Sequence, residues 1–174
     1  MNCDNSARDK IITDWYFREW IGDNSHLPEA EDVVIFMKIL IDIMATNGKL
    51  NEHERCYIIG RAAILGVPQE KLDELHTYQA DTSENNPNFN LPHVKKTRMG
   101  LIHNLFRVLS IDHKIHPKDI KTIYTLGKKL GATEEQIQQI QSLYEDEEKL
   151  REKRASLLFP HGFNDALKEY QKLH

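Results

Sequence analysis

The sequence predicts an all-α fold, a helical bundle of about eight helices built from two pseudo-repeated helical units. Three observations carry that reading. Apolar residues recur at helical spacing almost throughout, and no run of strand-like alternation competes. Residues 35–75 lie on 100–140 without a gap, pairing Leu40 with Leu105, Lys49 with Lys114, Ile58 with Ile123, Leu65-Gly66 with Leu130-Gly131 and Glu70 with Glu135. Between these identities the apolar pattern agrees: Ile41 meets Phe106, Ile43 meets Val108, Met44 meets Leu109 and Leu50 meets Ile115. One such unit would struggle to bury its apolar face alone, so the two are expected to pack together.

The 174 residues are read as a single helical domain, 1–174, large enough to bury most of its apolar surface. A leading aromatic helix (7–21) carries Ile11, Ile12, Trp15, Tyr16, Trp20 and Ile21. Repeat one spans 28–80. Pro28 suits a first helical position, and Glu29, Glu31 and Asp32 favour the N-terminal dipole end. The helix that follows, to about Thr46, is apolar nearly all round and belongs at the centre of a domain. Asn47-Gly48 ends it, glycine being free to take positive φ. Asn51 with Glu54 is a capping-box pattern for the next helix, which stops at Leu65-Gly66. Pro68 opens a short helix through Leu72 and Leu75. Residues 81–91, rich in Asn with Pro87, form a linker. Repeat two (92–143) starts at Pro92 and runs a central helix through Leu101, Ile102, Leu105, Phe106, Val108 and Leu109. His116-Pro117 restarts the chain, Gly131 stops it, and Thr133 with Gln136 is a second capping box. A C-terminal helical extension (144–174) enters the charge run from Glu145, breaks at Phe159-Pro160-His161-Gly162, and resumes with Asn164 as the expected cap.

Composition bounds the function. The net charge of −4 is spread along the chain, which argues against nucleic-acid binding, since phosphates want a basic stripe. Cys3 and Cys56 are too few for a disulfide framework or a cysteine-rich zinc site. The start has no signal-peptide pattern, and no segment reaches the roughly 18 apolar residues of a membrane span. A reducing cytoplasm and no membrane insertion are therefore expected.

Oxygen side chains recur in the loop after each central helix: Asn47 with Glu54 in the first, Asp112 with Asp119 in the second. Hard cations want several oxygens at one point. An EF-hand is excluded, because Ile43 and Ala45 stand where its first and third carboxylates belong. The loop pattern, Ala45-x-Asn47-Gly48-x-Leu50-x-x-x-Glu54 followed by Leu65-Gly66, resembles the TerB-like family, named for bacterial tellurite resistance. The second copy supplies Asp112, Ile115, Asp119 and Leu130-Gly131. The resemblance covers roughly residues 30–143 and implies an all-helical domain with clustered acidic residues. It further implies a divalent metal at that cluster and a role in stress-response, phage-defence or membrane-linked assemblies, with no defined reaction. Asn47 stands where the family has Asp, and His113 where it has Gly.

The candidate metal ligands are thus Asn47, Glu54, Asp112, His116 and Asp119. The competing reading is that these residues only cap helices, each cap being worth about 1 kcal/mol. His113 and His116 also suit zinc or nickel, but no further ligand pair for a tetrahedral site is recognisable nearby. There is no G-x-S-x-G elbow and no P-loop. Cys56 is read as a buried, inert thiol. Trp15, Tyr16 and Trp20 either pack the leading helix on the core or offer a protein-partner contact, since Trp and Tyr favour interface hot spots. The 166–174 tail resembles the helix before the His-Pro-Asp loop of J-domains, and with His174 as the last residue no such loop is expected. The leading functional expectation is a non-catalytic interaction module, with divalent-metal dependence, in a cytoplasmic stress-response or defence assembly. The alternatives are a metal-dependent enzyme or small-molecule binder using both loops, and a metal-free adaptor or effector using the aromatic helix.

Overall fold

The computed structural model describes residues 5–22, 27–46, 50–83, 86–111 and 115–171. Among them are eight α-helices and no strand: α1 (Asn5–Ile21), α2 (Ala30–Thr46), α3 (Glu52–Ile64), α4 (Gln69–Thr77), α5 (Pro92–Leu109), α6 (Pro117–Lys129), α7 (Glu134–Leu158) and α8 (Phe163–Gln171). A 3-10 turn, Pro87–Asn90, lies inside the connector.

The two helices with the densest apolar sequence form the centre. In α2, Met37, Ile39, Leu40, Ile41 and Ile43 are fully buried, and in α5 so are Leu101, Ile102, Leu105 and Phe106. α2 packs on α3, α4 and α5, while α5 packs on α6 and α7. The equivalences drawn from the sequence hold in the core: Leu40 and Leu105 are buried, as are Ile58 and Ile123. The helix stops match atom for atom. Val67 N donates to Ala62 O (3.2 Å) and Gly66 N to Ala63 O (3.0 Å); Ala132 N donates to Gly127 O (2.9 Å) and Gly131 N to Lys128 O (3.0 Å). Both stops are Schellman motifs, and Gly66 and Gly131 take the positive φ they require, 81° and 85°.

Three local expectations need correction. Pro28 is not the first helical residue. The Glu29 carbonyl accepts the first helical bond, from Val33 N (3.1 Å), so Pro28 lies one residue outside the cap and Glu29 takes that place. Asn164 does not cap α8 either. Ala166 N donates to Gly162 O (3.2 Å), so the left-handed Gly162 makes the turn and Asn164 is already helical. Cys56 is exposed, because the packed face of α3 is Glu54, Ile58 and Ala62, one turn apart, and Cys56 falls between those turns. The expected stop at Asn47-Gly48 lies outside the described residues.

Candidate functional site

The two repeat loops end on matching helix starts. Asn51 Oδ1 accepts from Glu54 N (2.9 Å) and Glu54 Oε2 accepts from Asn51 N (2.9 Å), a complete capping box on α3. In repeat two, Asp119 Oδ2 accepts from His116 N (3.1 Å) at the start of α6, with Pro117 as the first helical residue. Glu54 and Asp119 therefore occupy the same place in both units, and each serves its own cap. Asn47 and Asp112, the other oxygen ligands expected there, lie outside the described residues, as does His113. α3 has α1, α2, α4 and α5 as its main neighbours, whereas α6 has α5 and α7, so Glu54 and Asp119 start helices on different flanks of the core. Among the described residues no group of three or more His, Cys, Asp or Glu side chains is placed to hold an ion. Glu54, His116 and Asp119 alone do not make a coordination sphere of four to eight donors.

The aromatic helix is split between packing and exposure. Thr13 is buried, its Oγ1 donating to the Ile64 carbonyl (2.8 Å) at the end of α3. Arg61 of α3 donates from Nη1 to the Tyr16 hydroxyl (2.9 Å), and its guanidinium lies 4.7 Å from the Trp20 ring centroid. Burial raises the Tyr16 pKa, against the opposing effect of Arg61. Trp15 and Ile11, one turn apart, face solvent. Of the three proposed contact residues, Tyr16 and Trp20 are thus engaged with α3 and Trp15 is not packed inward.

Two polar clusters escaped sequence reasoning. Asp42, in the C-terminal third of the most apolar helix, is fully buried. Its Oδ1 accepts from Asp81 N (2.8 Å) and its Oδ2 from Asn86 Nδ2 (2.7 Å), and the Tyr78 hydroxyl also bonds to it. Burial raises the Asp42 pKa, against these hydrogen bonds. Burial first, then the Asp42 charge, pushes Tyr78 up to about 12. A lone carboxylate between Ile41 and Ile43 was the available signal, since a buried charge needs partners. On the other side His103 Nε2 is 2.9 Å from Glu147 Oε2, and Arg107 Nη1 donates to Glu148 Oε1 (3.1 Å), tying α5 to α7. Nothing local in the sequence joins residues so far apart.

Two open clefts flank the core. One, of about 710 Å³, runs between α1 and the α3–α4 corner, over Ile12, Thr13, Leu65, Pro68 and Leu72. The other, of about 600 Å³, has Phe106, Ile111, Ile115 and Tyr144 as its floor and Glu145, Glu148 and Glu152 along its rim. Their hydroxyls are already engaged: Thr13 donates to Ile64 O, Ser110 to Arg107 O (2.9 Å), and the Tyr144 hydroxyl bonds to Ser110. The exposed Cys56 thiol has its pKa raised by desolvation and by Glu52, whose carboxylate is 3.6 Å away, which disfavours the reactive thiolate.

The repeated helical units, their shared stops and their shared helix starts define an all-helical two-repeat fold like that of the TerB-like family. A solved structure bears this out: the chain is similar to a tellurite resistance protein from Nostoc punctiforme PCC 73102, with a TM-score of 0.78 and 28% sequence identity over 90% of this chain and 97% of that one. No family model and no curated protein matches the chain. Among the described residues no helix is long and apolar enough to cross a membrane.

Proposed function

We propose that this chain is a non-catalytic TerB-like interaction module that binds a protein partner through the outer face of α1. The observation that carries the reading is the placement of Ile11 and Trp15, which are 68% and 63% exposed on adjacent turns while Thr13 and Tyr16 bond the helix to α3 from behind. A large aromatic on a fixed helix is the usual anchor of an interface, because little conformational entropy is lost when it is covered. The similar protein from Nostoc is a tellurite resistance protein. By that likeness we assign this chain to a cytoplasmic stress-response or defence assembly.

Divalent-cation binding at each repeat loop separately, Asn47 with Glu54 in the first and Asp112 and His116 with Asp119 in the second, is the second component of the proposal. Its support is the equivalent placement of Glu54 and Asp119 at the two helix starts, with Asn47, Asp112 and His116 as the remaining donors. The two components separate experimentally. Affinity capture with the full chain, run beside an Ile11→Ser/Trp15→Ser variant, should retain a protein that the variant loses; identical capture by both would exclude the α1 face. Calorimetric titration of chelator-treated protein with calcium, magnesium, manganese, nickel and zinc should give saturable binding that an Asp112→Ala/Asp119→Ala variant loses at the second loop. Absence of heat and of thermal stabilisation with every ion reduces these side chains to helix caps.

A further inference from the structure

The second half of α7 leaves the body of the bundle. Through Ile137, Tyr144 and Glu147 the helix packs toward α5, but from Lys149 to Leu158 every residue is exposed. Three of the four exposed leucines on this helix, all but Leu158, are ordered. Leu143, Leu150 and Leu157 are 48%, 54% and 71% exposed, and they stand one heptad apart, so they form a single stripe. At 1.5 Å per residue the stripe is about 21 Å long. Such a seam is the pattern by which one helix meets another.

The charges along the seam select the partner. Asp146 and Glu147 lie between the first two leucines, and Lys153 and Arg154 between the last two. Parallel pairing with an identical helix would set each charge against its own sign. Antiparallel pairing about Leu150 reverses this: Leu143 meets the partner's Leu157, and Asp146 meets the partner's Lys153, which lies on the same flank of the stripe, while Glu147 stays with His103 and Arg107 of its own chain. The contact is self-complementary, which is what a twofold interface needs. Within one chain Asp146 holds only Lys149 (2.9 Å), an exposed neighbour pair that costs little to exchange. Phe163, Leu167 and Tyr170 of α8, the helix that follows α7 in the chain, are exposed as well. We propose that the protein forms an antiparallel homodimer through the Leu143–Leu150–Leu157 face of α7. This is a surface separate from the α1 face.

Sedimentation equilibrium of the full chain tests it. The expected mass is twice that of the 20.3 kDa chain. Leu150→Glu places two carboxylates on the twofold axis and should weaken association by at least about tenfold, with the helical circular dichroism unchanged because the site is exposed. Lys153→Glu should weaken it too, and adding Asp146→Lys should restore it, since the swap re-pairs opposite charges only in the antiparallel arrangement. Ile11→Ser/Trp15→Ser should leave the dimer intact, so loss of the α1 reading and loss of this one give different results. A monomer at every concentration overturns the proposal, as does a dimer indifferent to Leu150→Glu or a charge swap that fails to restore association. A monomer whose α7 stripe is covered by a different protein overturns it equally.

Discussion

Gly66 and Gly131 hold the same backbone conformation in the two units, but their surroundings differ. A Cβ at Gly66 would stand 3.2 Å from Thr13 Oγ1, whereas one at Gly131 meets nothing within 4 Å. Alanine at either position is forced into the left-handed region, costing roughly 1–2 kcal/mol. Denaturant titration should therefore show both Gly→Ala variants destabilised, with Gly66→Ala the worse because α1 is also pushed. Gly127 is a different case. It is helical, and a Cβ there would come within 2.7 Å of Ile137 Cδ1 and 2.9 Å of its Cγ1. Gly127→Val should cost about 1–3 kcal/mol by overpacking. Asp42 predicts a pH dependence. Its carboxyl binds a proton more tightly in the folded protein than in the unfolded chain, so the folded state is favoured at low pH and that advantage is lost as pH rises from the unfolded value of 3.8 through the raised folded one. Unfolding free energies of the native chain relative to Asp42→Asn should fall across that window and then level off. Asp42→Ala, which leaves the Asp81 N–H and the Asn86 amide without their acceptor, should cost about 2 kcal/mol.

Helices whose ends are written in side chains were legible in the sequence. The Asn51–Glu54 and Thr133–Gln136 pairs stand as capping boxes, and Asn51→Ala should lower the melting free energy by about 1 kcal/mol. Helix ends made by backbone alone were harder to place. α8 begins because Gly162 turns left-handed, and the polar Asn164 beside it was the more conspicuous but wrong signal. Exposure was read less well than helicity. The period of α3 fixes a face only once the first buried residue is known, and Glu54 is that residue, a charged side chain that composition would assign to solvent. The acidic loop residues were visible in the sequence as a repeated pattern. Their caps are local and follow from three-residue spacing, whereas the His103–Glu147 pair joins helices brought together only by tertiary packing.

For the whole molecule, stability is expected to grade outward from the α2–α5 centre. Amide exchange should be slowest at Leu40, Ile41, Leu105 and Phe106, which are fully enclosed, and fastest in α8, which leaves its large side chains to solvent. The repeat made this architecture readable, because two units of matched apolar period must share one interior. The connector's role was not readable, since its composition is that of an ordinary surface loop. It is instead stitched to the C-terminal third of α2: Asp81 and Asn86 reach Asp42, and the 3-10 turn that follows lies against both α2 and α5. Split in two, the polypeptide should accordingly show a polarity. Fragments 1–90 and 91–174 keep every donor to Asp42 on the piece that carries it, and should reassemble on mixing. A cut before Tyr78 strands that carboxylate in an apolar half with no partner of its own, and the pieces should stay apart.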